Sequence, residues 1–392
     1  MITLKKLNPL EDATLEELGF TWHTDSDGSK YINNELVEVT QEEAEAYYEA
    51  GNEIYDMYVE AAEYVIENDL FFELGIPFNL IETIKKSWES NVHWHIYGRF
   101  DLAGGVDGKE IKLIEFNADT PTSLFETALL QWALLKQNNM NEEKQFNNVY
   151  EAISQNFKRL ITLEDDIELF EERYDGWKIL FSSVAGNEEE EATTRLIQQM
   201  ATDAGFNTSF EYLQNVKFDE DGIFDAHDNQ YEYWFKLFPW EDIGTDEPEL
   251  ATTLTTIMQN QEAIILNPAY TLLFQSKGIM KIMSDLFPDS KYLLKTSFEP
   301  LEEMKQVEKT VFGREGANTK IIDVNGDIIE QIDGPYNNYK KVYQEYTEFN
   351  KDAKGAKYQA GVFFAYEACG LSFRKGSEIM DNMSKFVGHV LV

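Results

Sequence analysis

Residues 97–126 read YGRFDLAGGVDGKEIKLIEFNADTPTSLFE, and the fold turns on how this stretch is read. Two runs of strand-forming residues flank a loop carrying Gly104, Gly105, Asp107 and Gly108. Arg99 and Asp101 are two apart, as are Glu115 and Asn117, so the period of a strand places each pair on one face. If the hairpin loop has an odd number of residues, Asp101 lies opposite Glu115, Arg99 lies opposite Asn117, and all four side chains point the same way. A strict two-residue Asp107-Gly108 turn would destroy that arrangement, so the shared face requires a loop of three or five residues.

Such a face holds two carboxylates, an amide oxygen and a guanidinium. Hard oxygen donors beside a fixed positive fork suit Mg²⁺ and the phosphates it carries. The competing reading is an exposed hairpin whose charges are solvated and loosely paired. The following residues, Asp119-Thr120-Pro121-Thr122-Ser123, are rich in small hydroxyls, and Ser123 with Glu126 has the spacing of a capping box opening an apolar helix over 124–135. A helix N-terminus beside a metal and an arginine is a natural place for an anionic substrate group.

YGRFDLA, IKLIEFNADTPTS, the later FGREGAN (312–318) and LSFRKGS (371–377) together resemble the synthetase module of the glutathionylspermidine synthase family, which belongs to the ATP-grasp ligases. The resemblance runs from about Trp22 to Val392, and its most specific parts are the Arg-x-Asp and Glu-x-Asn pairs. It implies an α+β fold, ATP-grasp-like with permuted order, in which mixed and antiparallel sheets are flanked by helices. The amidase domain that precedes this module in bifunctional members is expected to be absent. Three regions are expected: 1–145, helical and carrying the hairpin at 97–119; 146–270, an α/β substrate-binding region; and 271–392, a nucleotide-binding lobe with a lid loop at 312–318.

Composition bounds the reading. The 392 residues carry 72 acids against 33 bases, a net charge of -39, which disfavours nucleic acid and anionic membranes and is compatible with a cationic substrate such as a polyamine. A solubilising acidic surface accounts for most of that charge. The single cysteine, Cys369, excludes an internal disulfide and fits a reducing compartment. The first residues, MITLKKLNPLEDATLEEL, lack the apolar core of a signal peptide, and no apolar run approaches a membrane span, so a cytoplasmic protein is expected.

Along the chain, Asp25-Ser26-Asp27-Gly28 mimics a calcium loop, but its glycine comes two positions early and Leu36 stands where the last ligand should be. A turn is the better reading. Thr40 and Glu43 form a capping box for a helix to about Asn68, with Tyr47, Ile54, Tyr58, Ala61 and Val65 on its core face. Pro77 begins a shorter helix ending near Asn91, and His93-Trp94-His95 reads as strand leading into the hairpin, with no partners to complete a zinc site. Trp177–Val184 is a buried strand, the acidic run 188–191 opens a helix to Gly205, and Tyr231–Trp240 and Ala263–Asn267 are further strands. Gln275-Ser276-Lys277 starts a helix, and strands at 307–311 and 320–324 flank the 312–318 loop.

The resemblance assigns roles to particular residues. It implies that Asp101, Glu115 and Asn117 hold Mg²⁺ and that Arg99 stabilises the transferring phosphoryl group. It implies that Lys277, Lys309, Gly316 in the lid, Gln344 in the adenine-lining segment, Gln359 and Arg374 serve ATP. The hydroxyls Thr120 and Thr122, with Ser123 where glutathione-using members have cysteine, match substrate positions. Glu189 and Glu190 match an acidic pair associated with the polyamine; as a bare pattern they are dipole-favourable acids in a first helical turn. The implied reaction joins a peptide or amino-acid carboxylate to an amine or polyamine, with no nucleic-acid or membrane partner and the oligomeric state left open. A two-carboxylate glycosidase using Asp101 and Glu115, or a non-catalytic nucleotide- or peptide-binding relative, are the alternatives.

Overall fold

The computed structural model describes residues 1–163 and 166–392. The hairpin forms from strands Gly98–Ala103 and Lys112–Asn117, with Arg99 opposite Asn117 and Asp101 opposite Glu115. The expected route to that register is wrong, however. The connection 104–111 is even, not a loop of three or five residues, and a β-bulge restores the parity: beyond Asp101 the register shifts, so that Leu102 faces Leu113 and Ile114 is left unopposed. Burial explains why the register is held despite the longer loop. Phe100 and Phe116, one step from the polar pairs, stack at 3.9 Å between ring centroids in the core, and a slip by one residue would turn them into the polar face.

The hairpin belongs to a central antiparallel sheet ordered Lys385–Val387, Glu367–Gly376, Lys357–Ala365, Gly98–Ala103, Lys112–Asn117, with the short strand Asn350–Lys351 also pairing with Lys357–Ala365. Its apolar face packs on the long helix Gln41–Glu67, whose Thr40–Glu43 capping box is present and whose Tyr47, Ile54, Tyr58, Ala61 and Val65 are all buried. At the loop, Gly105 adopts φ +87, and a Cβ there would fall 2.3 Å from the Tyr47 ring, whose hydroxyl donates to the Gly104 carbonyl at 2.5 Å. One sheet thus joins the hairpin of the first expected region to strands of the third.

Two further sheets flank it. Ile264–Leu266, Tyr233–Lys236, Lys178–Ser182 and Asn207–Phe210 form a parallel sheet, with helix Glu188–Asp203 crossing between the last two. Thr296–Ser297, Lys341–Glu345, Gln306–Thr310, Thr319–Ile322 and Ile328–Ile332 form an antiparallel outer sheet. The architecture is therefore mixed α+β with several sheets. Among the described residues no helix is long and apolar enough to cross a membrane.

Three local expectations need correction. His93-Trp94-His95 is irregular rather than strand, because His95 Nε2 bonds to the Ala118 carbonyl at 2.9 Å and its ring stacks on Tyr55. Lys277 stands in the joint between helices Thr271–Gln275 and Ile279–Leu286 rather than at the head of one. The Ser123–Glu126 capping box is absent. Ser123 sits at φ +63, its carbonyl accepts from Thr127 N at 3.1 Å and from Thr127 Oγ1 at 2.7 Å, and Glu126 opens a π-helical turn, Glu126–Leu130. Leu124 and Phe125 are both buried, and drawing them into the core turns Glu126 inward, away from the backbone it would have capped.

Candidate active site

The polar face of the central sheet is the floor of the site. In direct register across it lie Asn117 with Arg99, Glu115 with Asp101, Asp101 with Gly361, Gly361 with Ser372, and Gln359 with Arg374. Residues opposite one another share a face, so the strand alternation gathers side chains as far apart in sequence as Arg99 and Arg374.

Arg99 and Asp101 are both buried and form a fork: Nε donates to Oδ1 at 2.7 Å and Nη2 to Oδ2 at 3.0 Å. Arg99 Nη1 also donates to the Thr122 carbonyl at 2.6 Å, tying the hydroxyl segment to the floor. Asn117 Nδ2 donates to Asp101 Oδ2 at 3.3 Å. Glu115 pairs with Lys277 at 3.2 Å. Burial works against the charge of Glu115, but Lys277, Lys309 and Arg99 outweigh it and hold the carboxyl below its ordinary value.

Lys309 Nζ donates to Gln344 Oε1 at 2.9 Å and to the carbonyl of Ile114 at 3.2 Å. The bulged residue thus gives its carbonyl to this lysine, and Gln344 Nε2 in turn donates to the Leu113 carbonyl at 3.2 Å. The bulge therefore stitches the outer sheet to the hairpin. Burial, then the neighbouring Lys277 charge, lowers Lys309 to about 8, while Glu115 and Asp101 oppose that fall. Lys277, Lys309, Gly316, Gln344 and Gln359 line one cleft between the central and outer sheets, together with Tyr346, Phe349 and Met380. The cleft thus combines cationic side chains with apolar and aromatic ones, a mixture that suits phosphates and a base.

Arg374 does not line that cleft. Its Nη2 donates to the Asp381 carbonyl at 2.6 Å, and its charge acts on Glu189 and Tyr31. Glu189 and Glu190 stand half-buried at the start of helix Glu188–Asp203, where Asn187 caps the Glu190 amide at 3.2 Å. Burial pushes Glu189 up to about 7, with Glu126, Glu315 and Glu190 adding to the rise and Arg374 opposing it. The acidic pair therefore belongs to a second polar cluster beyond Ser123, apart from the cleft lined by Lys277 and Lys309.

The 312–318 loop bridges the two regions. Arg314 donates from Nη1 to Thr120 Oγ1 at 3.1 Å and from Nη2 to Glu241 Oε1 at 2.8 Å, while the Gly313 carbonyl accepts from Lys277 Nζ at 2.9 Å. Beneath it Asp119, fully buried, accepts from Lys236 Nζ at 2.9 and 3.1 Å and from Trp240 N at 2.9 Å. That pair fixes the turn by which the chain leaves the hairpin. In the sequence Arg314 lies in the FGREGAN segment but has no role of its own, Glu126 reads only as a helix cap, and Lys236 looks like one polar residue in an aromatic strand.

Among the described residues no three His, Cys, Asp or Glu side chains converge as a metal group. The donor set of Asp101, Glu115 and the Asn117 amide oxygen is all hard oxygen and beside two ammoniums, which fits Mg²⁺ carrying phosphate better than a softer metal.

Comparison with known proteins gives the family. A family model described as glutathionylspermidine synthase preATP-grasp matches residues 2–392. A Haemophilus influenzae protein named as an acid–amine ligase is 29% identical over 401 residues, covering 96% of each chain. The bifunctional glutathionylspermidine synthetase/amidase of Escherichia coli is 24% identical over 336 residues, which are 78% of this chain and 51% of that enzyme, so the chain spans about half its length. In structure, a glutathione synthetase-like effector from Globodera pallida superposes over 99% of this chain and 100% of its own, with a TM-score of 0.58 at 11% identity, which establishes a shared fold. The chain belongs to the glutathionylspermidine synthase preATP-grasp family.

Proposed function

We propose that this protein is an ATP-dependent carboxylate–amine ligase of permuted ATP-grasp architecture, forming an amide through an acyl phosphate. The observation that carries the reading is the single charged network Arg99–Asp101–Glu115–Lys277–Lys309, whose Glu115, Lys277 and Lys309 line a cleft that Tyr346 and Phe349 also line. Lys277 and Lys309 neutralise nucleotide phosphates, and Gln344 and Gln359 fix the nucleotide in the cleft. Asp101, Glu115 and Asn117 would hold Mg²⁺, which would supply positive charge to polarise the terminal phosphates. A substrate carboxylate attacks the γ-phosphorus, the bond to the β–γ bridging oxygen breaks, and ADP leaves. Arg99 donates to the phosphoryl oxygens as their charge spreads. An amine nitrogen then attacks the acyl carbon, the acyl C–O bond breaks, and phosphate departs with the proton of the nitrogen.

Thr120, Thr122 and Ser123 border the path from the phosphates to the second cluster, where Glu189 and Glu190 hold the amine by charge-assisted hydrogen bonds. Arg374, beside them, faces a substrate carboxylate rather than ATP. The loop that carries Gly316 and Arg314 excludes water from the acyl phosphate. Against a glycosidase stands the use of both Asp101 oxygens by the Arg99 fork.

The test has two parts. ATP with Mg²⁺ should raise the melting temperature, as any ligand selective for the native state must. An ADP-release screen of peptide carboxylates against polyamines and amino acids should then find a pair in which release needs both partners. Stabilisation by ATP without turnover for any pair would leave the non-catalytic relative.

The acidic pair makes a pH prediction. With its carboxyl near 7, Glu189 is mostly protonated below that pH and cannot pair with an ammonium. KM for the amine is expected to rise about tenfold per pH unit between roughly pH 7 and 5, with kcat changing less. Glu189→Gln should raise KM and make it flat over that range. The stability sign is opposite: a carboxyl raised in the fold loses stability for the protein as pH climbs from the unfolded value through about 7. Glu189→Gln should flatten that loss in urea titrations. An unchanged KM profile in the variant would remove Glu189 from the amine site.

A further inference from the structure

Gly361 lies in the middle of the nine-residue strand Lys357–Ala365, directly opposite Asp101 on one side and Ser372 on the other. Glycine weakens a strand interior, and its presence there marks a close approach by another group. The approaching group is the Arg99 side chain. A Cβ built on Gly361 would stand 3.2 Å from Arg99 Cδ, 3.6 Å from Arg99 Nε and 3.5 Å from Ser372 Oγ. The guanidinium therefore reaches across the strand over a residue with no side chain. Its height above the sheet is set at two ends, by the Asp101 fork and by the Thr122 carbonyl. The bed is held from the side as well: the Thr127 and Ser372 hydroxyls are hydrogen-bonded at 2.9 Å, in the same turn that begins at Ser123. Arg99 has nowhere to retreat, since it is buried and its contacts lie on both flanks.

We propose that Gly361 is a positioning residue for the phosphoryl-transfer site, providing the gap in which the Arg99 stem lies so that its fork meets the reacting group. This rests on the ligase reading above. A methyl group at 361 must lift Arg99 by a few tenths of an ångström or break one of its two anchors, and either change moves the guanidinium off the line of the transferring group.

The test is a double-mutant cycle of Gly361→Ala and Arg99→Ala, because the second substitution deletes the atoms that the added methyl would meet. Two readouts are used: thermal denaturation, and phosphate release from MgATP with glutathione and spermidine as the probe pair. In the native background Gly361→Ala should lower kcat by roughly tenfold to a hundredfold, the scale of a small misplacement, with KM for ATP nearly unchanged. It should also lower the melting temperature. In the Arg99→Ala background the same methyl should lower neither, and the melting temperature should hold or rise, as expected when alanine replaces glycine without a clash. If Gly361→Ala alone fails to fold, the double variant should fold, which equally supports the steric relation. Equal losses of melting temperature in both backgrounds would overturn the proposal by showing a purely structural site. A steric coupling in melting temperature without any kcat effect would overturn the positioning role. If the probe pair releases no phosphate with the native protein, the ligase reading fails for those substrates, while the melting cycle still decides the steric relation.

Discussion

Arg99→Ala is expected to lower turnover by about a hundredfold to a thousandfold, the loss typical of removing a donor aimed at the transition state. MgATP affinity should fall much less, because the proposed phosphate binders Lys277 and Lys309 keep their own anchors, the Gly313 carbonyl and Gln344. Arg99→Lys should rescue only part of the loss, since an ammonium cannot donate two parallel hydrogen bonds to Asp101 while also reaching Thr122. A competing effect must be separated. Asp101 is buried, and among the described residues removing its partner leaves it the Asn117 amide at 3.3 Å. Stripping one member from a buried pair costs about 3–5 kcal/mol. The measurement is therefore kcat together with ATP affinity by calorimetry, well below the melting transition of each variant. Should affinity collapse while turnover at saturating ATP stays normal, Arg99 is a binding residue and the mechanism must be redrawn.

The floor of this site was legible in the sequence because its signal is local. Period-two spacing put Arg99 with Asp101 and Glu115 with Asn117 on one face, and the resemblance supplied the lysines 277 and 309, far along the chain. The long helix was legible for the same reason: a capping box and an apolar stripe lie within its own residues. What failed was whatever tertiary packing decides. The bulge at Ile114 is invisible to alternation, yet it makes the hairpin parity right and turns a carbonyl toward Lys309. The Ser123–Glu126 spacing matched a cap, but burial of Leu124 and Phe125 overrode it. Gly361 carried no signal at all, since its meaning is the Arg99 side chain lying over it from a strand more than 250 residues earlier.

Glu115→Gln should separate two roles that the network gives one carboxylate. Every proposed metal ligand with a charge is held by a cation, Asp101 by Arg99 and Glu115 by Lys277, and Lys277 is also a proposed phosphate binder. Under the proposed function, a metal would need the carboxylates that these cations hold, and phosphates would need the lysine that Glu115 holds. Each makes the other's entry easier, and such coupling is reciprocal. Glu115→Gln removes a metal ligand but also releases Lys277. In the presence of Mg²⁺, ATP affinity is expected to fall about a hundredfold, in line with loss of a charged ligand. In EDTA it is expected to rise by about threefold to tenfold, because the Glu115–Lys277 ion pair no longer has to be broken. Asn117→Ala provides the control. It removes a ligand without freeing any lysine, so it should weaken binding with Mg²⁺ and leave the metal-free affinity unchanged. Calorimetric titration of ATP into the three proteins, with Mg²⁺ and with EDTA, reads all of these at once. If Glu115→Gln weakens metal-free ATP, then Glu115 holds Lys277 in its productive place instead of restraining it, and the partner exchange does not occur.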